Sequence, residues 1–302
     1  MLIHVLGSAA GGGFPQWNCD CPCCRAVRDG SRPARPRTQS SVAVSGDGEH
    51  WVLLNASPDV HRQLESFPAL RPRDGRDSPV EAVLLTDAEL DHTLGLLLLR
   101  ESRGLRVHGT AAVRSVLETG TRLLPVLTSY CPVDWRSAVP GGEQRLAGGL
   151  AFRPFDVPTR KRARFTVAGG DGSGGPGRVT GYRITDGRTG RALVFLPCVQ
   201  ELTAEVTAEI AGCSCLLIDG TCWTDDELVT LGLADRTSRE MGHVPIGGAD
   251  GSLARLAGLP ARRKVYTHLN NTNPVLLEDS AERRAVAACG VEVAVDGMEM
   301  EI

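Results

Sequence analysis

Four cysteines stand within six positions of the segment FPQWNCDCPCC, at Cys19, Cys21, Cys23 and Cys24. Thiolates hold zinc in closed tetrahedral sites, and ligands so close in sequence converge with little loop-closure entropy. Cys19, Cys21 and Cys24 form C-x-C-x-x-C, the spacing of a structural zinc clip, while Cys23, beside Cys24, is expected to point elsewhere. A fourth ligand must come from further along the chain. The preceding GSAAGGG lacks the G-K-[ST] ending of a phosphate-binding loop, and its glycines read as turn residues at a strand end.

A second constellation lies in LLTDAELDHTLGLL. A strand, Ala82 to Leu85, runs into a turn bearing Asp87, Glu89, Asp91 and His92, and a helix follows. Four ligand-type side chains at the end of a strand are costly to bury without a task. The plainer reading is a capped helix with solvated acids. The third constellation is VYTHLNNTNP, an apolar strand ending in His268. A lone histidine is more often structural than ligating, so its pairing with Asp91 and His92 needs further support.

The elements that must position these residues are short. Strand-like runs rich in Val, Ile and Leu recur: IHVLGS, SSVAVS, WVLLNAS, AVLLTD, YRITD, ALVFLP, CLLIDG, KVYTHL and VEVAVDG. Helical patterns lie between them: HTLGLLLLRE, AAVRSVLETG, AEVTAEIAG, LARLAGL and AERRAVAAC. LGLLLLR reads as one buried helix face. Early strands follow one another with little helix and later ones alternate with helices, which suggests layered α/β over a doubly wound sheet. AGGDGSGGPGR, Ala168 to Arg178, reads as a flexible surface loop. With no repeat and no internal boundary, a single domain over residues 1–302 is expected, with a Cys-rich zinc loop at 17–25.

Bulk properties exclude several classes. The chain has 302 residues, 42% of them hydrophobic, and a formal net charge of -3, which leaves no footprint for nucleic acid or an anionic membrane. The local cluster PTRKRARF reads as a solvated loop, with a substrate-facing role as the other reading. No apolar run reaches the ~18–20 residues of a membrane span, so no membrane insertion is expected. The first residues lack a signal-peptide pattern, and ten cysteines, scattered beyond the first cluster, suit reduced thiols, so a cytoplasmic protein is expected.

The pattern T-x-x-x-x-D-H-x-x-G, Thr86 to Gly95, resembles the first metal motif of the metallo-β-lactamase superfamily, T-H-x-H-x-D-H-x-x-G. The two early histidines are replaced by Asp87 and Glu89; the Asp91-His92 pair remains, and His268 looks like the later histidine serving the same metal. The superfamily's bridging aspartate would fall near FLPCVQ, where Cys198 stands. A dinuclear hydrolytic centre needs ligands for two metals. Two imidazoles and one carboxylate suit one metal, as in mononuclear Fe(II) oxygenases, with zinc in the same site as the alternative. The blocks VLGSAAGGGFPQWNCDCPCC, RTQSSVAVS, NASPDV, LLIDGTCWTDDE, REMGHVPIGG, HLNNTNP and DGMEMEI together resemble the PqqB family, from the first residues to the last.

That resemblance implies a four-layer αβ/βα metallo-β-lactamase fold and a structural Zn on Cys19, Cys21 and Cys24, with Asn271 at the position of a fourth ligand. It implies an active-site Fe(II) on Asp91, His92 and His268, with O2 as co-substrate. The implied reaction is hydroxylation of the tyrosine moiety of a crosslinked Glu–Tyr precursor of pyrroloquinoline quinone (PQQ). The alternatives are a carrier assisting transport of PQQ or its precursor to the periplasm and, less well supported, a metal-dependent hydrolase. Asp59, Asp219 and His243 are the candidates for orientation or proton transfer, and Asp87 and Glu89 for proton acceptance. Arg239 and Glu240 are the candidates for reading the ends of a zwitterionic substrate. A small-molecule or dipeptide PQQ precursor and other PQQ-pathway proteins are the implied partners.

Overall fold

A computed structural model describes residues 1–165 and 175–302. Most of the expected glycine-rich loop, 168–174, lies outside the described residues. The chain first lays down β1 (Leu2–Gly7), β2 (Ser41–Ser45), β3 (Trp51–Leu54), β4 (Val80–Leu84), β5 (Leu105–Gly109) and β6 (Val133–Ser137). It continues with β7 (Gln144–Arg145), β8 (Leu150–Asp156), β9 (Thr180–Asp186), β10 (Ala192–Leu196), β11 (Cys215–Asp219), β12 (Arg263–Thr267) and β13 (Glu292–Val293). A last strand, β14 (Glu299–Glu301), returns beside β1.

Two seven-stranded mixed sheets result, ordered β14-β1-β2-β3-β4-β5-β6 and β13-β12-β11-β10-β9-β8-β7. In each, antiparallel pairing on one side gives way to parallel pairing on the other, from β3 to β6 and from β10 to β13. Parallel strands demand crossovers, and here these carry the helices.

The period of two in each strand builds three apolar layers. Val52, Leu54, Leu84, Phe152, Tyr182, Leu193, Phe195 and Leu217 fill the space between the sheets. Their alternates Leu53, Val83 and Leu85 meet the helices Val60–Ser66, Gly95–Leu98 and Leu123–Thr128. Val194, Leu196, Leu216, Ile218 and Tyr266 meet the helices Ala204–Ile210, Ser252–Leu256 and Ala281–Ala288. The expected αβ/βα order is the one observed. Because both faces are covered, central strands read as continuous apolar runs.

Two local expectations are corrected. LGLLLLR is not one buried face: the helix is interrupted between Thr93 and Gly95, Leu96 is fully buried, and Leu94 and Leu98 are 36% and 45% exposed. Gly95 packs so closely on residues 56 and 57 that a Cβ would stand 2.2 Å from the Ser57 carbonyl oxygen. The basic run is not wholly solvated: Lys161 turns inward, its stem beside Gly242, whose φ of +97° favours glycine.

Candidate metal centre and the cleft beside it

Four strand ends supply the site: Asp87 follows β4, Cys198 follows β10, Asp219 closes β11 and His268 follows β12. Strand β9 fastens the two sheets together there. Tyr182 donates its hydroxyl to the Leu85 carbonyl at 2.7 Å, and the Thr180 N–H donates to the Thr86 carbonyl at 2.7 Å.

The turn after β4 is fixed by Asn55. Its amide nitrogen donates to Thr86 Oγ1 at 2.9 Å, and its amide oxygen accepts from the Thr86 N–H at 2.9 Å. The turn sets Asp87 under His92, whose Nδ1–H donates to the Asp87 carboxylate at 2.8–2.9 Å. That bond leaves Nε2 pointing away from Asp87 as the ring atom a metal would take, displacing the proton that the metal-free imidazolium carries there, the arrangement of a carboxylate–histidine–metal relay. Nε2 of His92 is buried and has no hydrogen-bond partner among the described residues. It lies 3.8 Å from Asp91 Oδ2, which in turn lies 3.3 Å from His268 Nε2.

His268 is oriented from its other side. It has a positive φ of 55°, uncommon for a residue with a Cβ and often found where surrounding structure holds a functional side chain. Thr221 Oγ1 lies 2.9 Å from His268 Nδ1 and 2.6 Å from Asp219 Oδ1. A hydroxyl has one proton. Given to the ionised Asp219, it leaves the Thr221 oxygen to accept from His268 Nδ1–H, which assigns the His268 lone pair to Nε2. The second oxygen of Asp219 accepts from His243 Nδ1–H at 2.7 Å. Asp219, Thr221, His243 and His268 therefore form one buried hydrogen-bonded group.

The charges follow this geometry. Burial works against an ionised Asp87, but the adjacent His92 imidazolium outweighs it and holds the carboxyl at about 2. Burial likewise disfavours the His92 charge, yet Asp87 and Asp91 hold the ring up at about 9. Asp91 is held well below the usual carboxylate range by His92 and His268, against its burial. Burial lowers His268, and raises the Cys198 thiol well above its ordinary value. A carboxylate oxygen and two imidazole nitrogens, one of them unpartnered in the interior, fit a divalent cation. The Cys198 sulfur also lies within 4.8 Å of ligand atoms of His92 and His268. Asp219, His243 and His268 come equally close, but their facing atoms are engaged with one another and with Thr221.

A second group of donors joins the N-terminal loop to the segment after β12. The Cys19, Cys21 and Cys24 sulfurs lie within 4.8 Å of one another, all buried. Cys21 caps the helix Pro22–Asp29, accepting from the Cys24 N–H at 3.4 Å. The Asn271 side-chain amide lies 3.3 Å from Cys24 Sγ and 3.6 Å from Cys21 Sγ. Cys23 points elsewhere, donating to the Thr272 carbonyl at 3.4 Å. Burial pushes the Cys21 thiol up to about 12, so zinc must displace its proton.

Beside the histidines opens a narrow, partly open cleft with an enclosed volume of about 70 Å³. Val113, Val116, Phe165 and Met241 form apolar wall, His243 and Cys198 lie at its inner end, and Lys161, Arg164 and Arg178 line it.

Residues 50–269 match the family model of the beta-lactamase superfamily domain. Coenzyme PQQ synthesis protein B from Azoarcus sp. (strain BH72) is 48% identical, covering 100% of both chains. The protein of that name from Pseudomonas aeruginosa is 44% identical, again over 100% of both. The chain belongs to the PqqB family. The crystal structure of Zn(2+)-bound PqqB from Methylobacterium extorquens is 39% identical, covers 100% of both chains and gives a TM-score of 0.91. A diphosphatase of the PhnP family shares the fold, at 20% identity and a TM-score of 0.71 over 100% of this chain and 97% of that one.

In this PqqB-family chain Asp91, His92 and His268 converge, and Asp219 and His243 adjoin them. The other candidates are engaged with neighbouring groups. The Asp59 carboxylate accepts from the Gln39 N–H and side chain, at 2.9 and 3.0 Å. Arg239 spends its guanidinium on the Gln200 and Asp250 carbonyls, and exposed Glu240 accepts from the Thr237 N–H. Neither lines the cleft. Asp87 does not present a free acceptor, because His92 occupies it, and Glu89 is paired with Lys161 and Arg164 at 2.8 and 3.2 Å. The residue missed in the sequence is Thr221, whose short polar side chain beside Gly220 reads there as turn chemistry.

Proposed function

We propose that the chain acts in PQQ biosynthesis as an iron- and O2-dependent hydroxylase of the tyrosine moiety of the crosslinked Glu–Tyr precursor. The observation that carries the reading is the unpartnered, buried His92 Nε2 facing Asp91, with His268 Nε2 beside them. Two imidazoles and a carboxylate with sides left open are the donor set of mononuclear Fe(II) oxygenases. Asp91, His92 and His268 would hold the Fe(II), which supplies activation of O2 next to the ring. The full-length likeness to proteins named coenzyme PQQ synthesis protein B supports the pathway.

The chain's own groups have distinct tasks. Asp87 keeps the proton of His92 on Nδ1, so that Nε2 faces the metal. Thr221 does the same for His268. His243, held through Nδ1 by Asp219, has Nε2 as its remaining basic atom and lines the cleft, where it takes the proton of the substrate phenol. The apolar walls exclude water from the ring.

The test is mass spectrometry of the crosslinked Glu–Tyr compound, incubated with anaerobically purified Fe(II)-loaded protein and ascorbate, then labelled O2. Each hydroxylation places one labelled oxygen on the ring; the other leaves as water, with two electrons drawn from ascorbate. An unchanged substrate mass with iron bound contradicts the hydroxylase and favours a carrier.

A further inference from the structure

We infer that Lys161 and Arg164 form a carboxylate-binding clasp at the cleft, held closed by Glu89 until an anionic ligand takes its place. The inference rests on the reading above only for its choice of probe.

Lys161 Nζ lies 2.8 Å from Glu89 Oε1, and Arg164 Nε lies 3.2 Å from Glu89 Oε2. Two cations thus share one carboxylate, and among the described residues each has donors left over. The Lys161 side chain is only 15% exposed. Burial alone would lower its pKa, but Glu89 more than compensates and keeps the ammonium charged. Its stem lies 3.1 Å from where a Gly242 Cβ would stand, next to His243. The Arg178 guanidinium donates to the Lys161 carbonyl at 3.0 Å and braces the segment from the other side. The cleft lining carries three cations, Lys161, Arg164 and Arg178, against the two carboxylates of Asp87 and Glu89, a local excess of positive charge in a chain of net charge -3.

The chemistry fits a ligand bearing several carboxylates beside a flat ring. The ring would lie against the apolar wall of Val113, Val116, Phe165 and Met241. One carboxylate exchanges with Glu89 for the two cations. The pair is worth more at Lys161, which is largely buried, than at Arg164, whose side chain is 56% exposed and screened by water.

PQQ is a tricarboxylic acid, and its trimethyl ester has the same ring without the charges. Binding of each to the zinc-loaded full chain, followed by fluorescence quenching at fixed ionic strength, tests the clasp. Lys161→Gln and Arg164→Gln should each weaken binding of PQQ, by about tenfold or more for Lys161, and leave the ester unaffected. Glu89→Gln should tighten binding of PQQ, a gain that damage to the fold would not produce. The clasp is overturned if all three variants bind PQQ as the unaltered chain does, or if the unaltered chain prefers the ester. Failure of ring labelling with these binding shifts intact removes the hydroxylase and leaves the clasp. Normal labelling with unshifted binding removes the clasp alone.

Discussion

Replacing Thr221 by valine removes one oxygen at nearly constant shape. That oxygen lies 2.6 Å from Asp219 Oδ1 and 2.9 Å from His268 Nδ1, and all three residues are buried. Two interior polar atoms lose a partner at about 1–3 kcal/mol each, roughly 2–6 kcal/mol together. For a domain of this size that lowers the unfolding midpoint by about 3–10 °C. A structural role predicts no more than this. The tautomer argument adds a second effect: without an acceptor on Nδ1, His268 is free to carry its proton on Nε2, where it blocks the metal. Loss of such an orienting partner costs about 10- to 100-fold in metal affinity. Chelator competition on the refolded, still-native fraction measures it, and Thr221→Ser, which retains the hydroxyl, should restore affinity. A valine variant that is destabilised yet binds metal as tightly as the unaltered chain refutes the assignment.

Asp87→Asn weakens the acceptor of His92 Nδ1–H and should lower metal affinity about 10- to 100-fold, read by the same competition. Cys24→Ser should abolish zinc at the N-terminal loop while the metal on Asp91, His92 and His268 remains, as elemental analysis shows. Because burial raises the metal-free Cys21 thiol to about 12, zinc binding there must release its proton. Zinc affinity of that loop should therefore rise with pH across pH 6–8, and a flat profile contradicts the ligand set. Gly95→Ala puts a Cβ 2.2 Å from the Ser57 carbonyl oxygen and should cost about 1–3 kcal/mol or more in denaturant unfolding.

Strands β1–β4 and β9–β12 were legible in the sequence because most are buried on both faces, as Leu53 with Leu54 and Leu216 with Leu217 show. Arg106 in β5 and Arg153 and Pro154 in β8 interrupt the apolar run of those two interior strands. β6 was not legible, since Asp134, Arg136 and Ser137 on this edge strand are exposed and break the apolar pattern. The helix Pro22–Asp29 was hidden because its cysteines were read as ligands before its amphipathic spacing. Asp91, His92 and His268 could be proposed from the sequence because a strand end followed by clustered ligand types is a local signal. Glu89 and the basic run were not joined, because their pairing depends on where Gly242 lets Lys161 lie. Arg239 and Glu240 do not line the cleft, because proximity to His243 in sequence says nothing about which side chains turn into it.

The central claim is that one active-site metal is held by Asp91, His92 and His268. The most direct test is anomalous diffraction at the iron and zinc edges from crystals of the anaerobically Fe(II)-loaded protein. The account predicts one iron peak about 2.0–2.2 Å from Asp91 Oδ2, His92 Nε2 and His268 Nε2, and one zinc peak among the sulfurs of Cys19, Cys21 and Cys24. An iron peak on Asp219 and His243, or a second metal bridging the two groups, would contradict it.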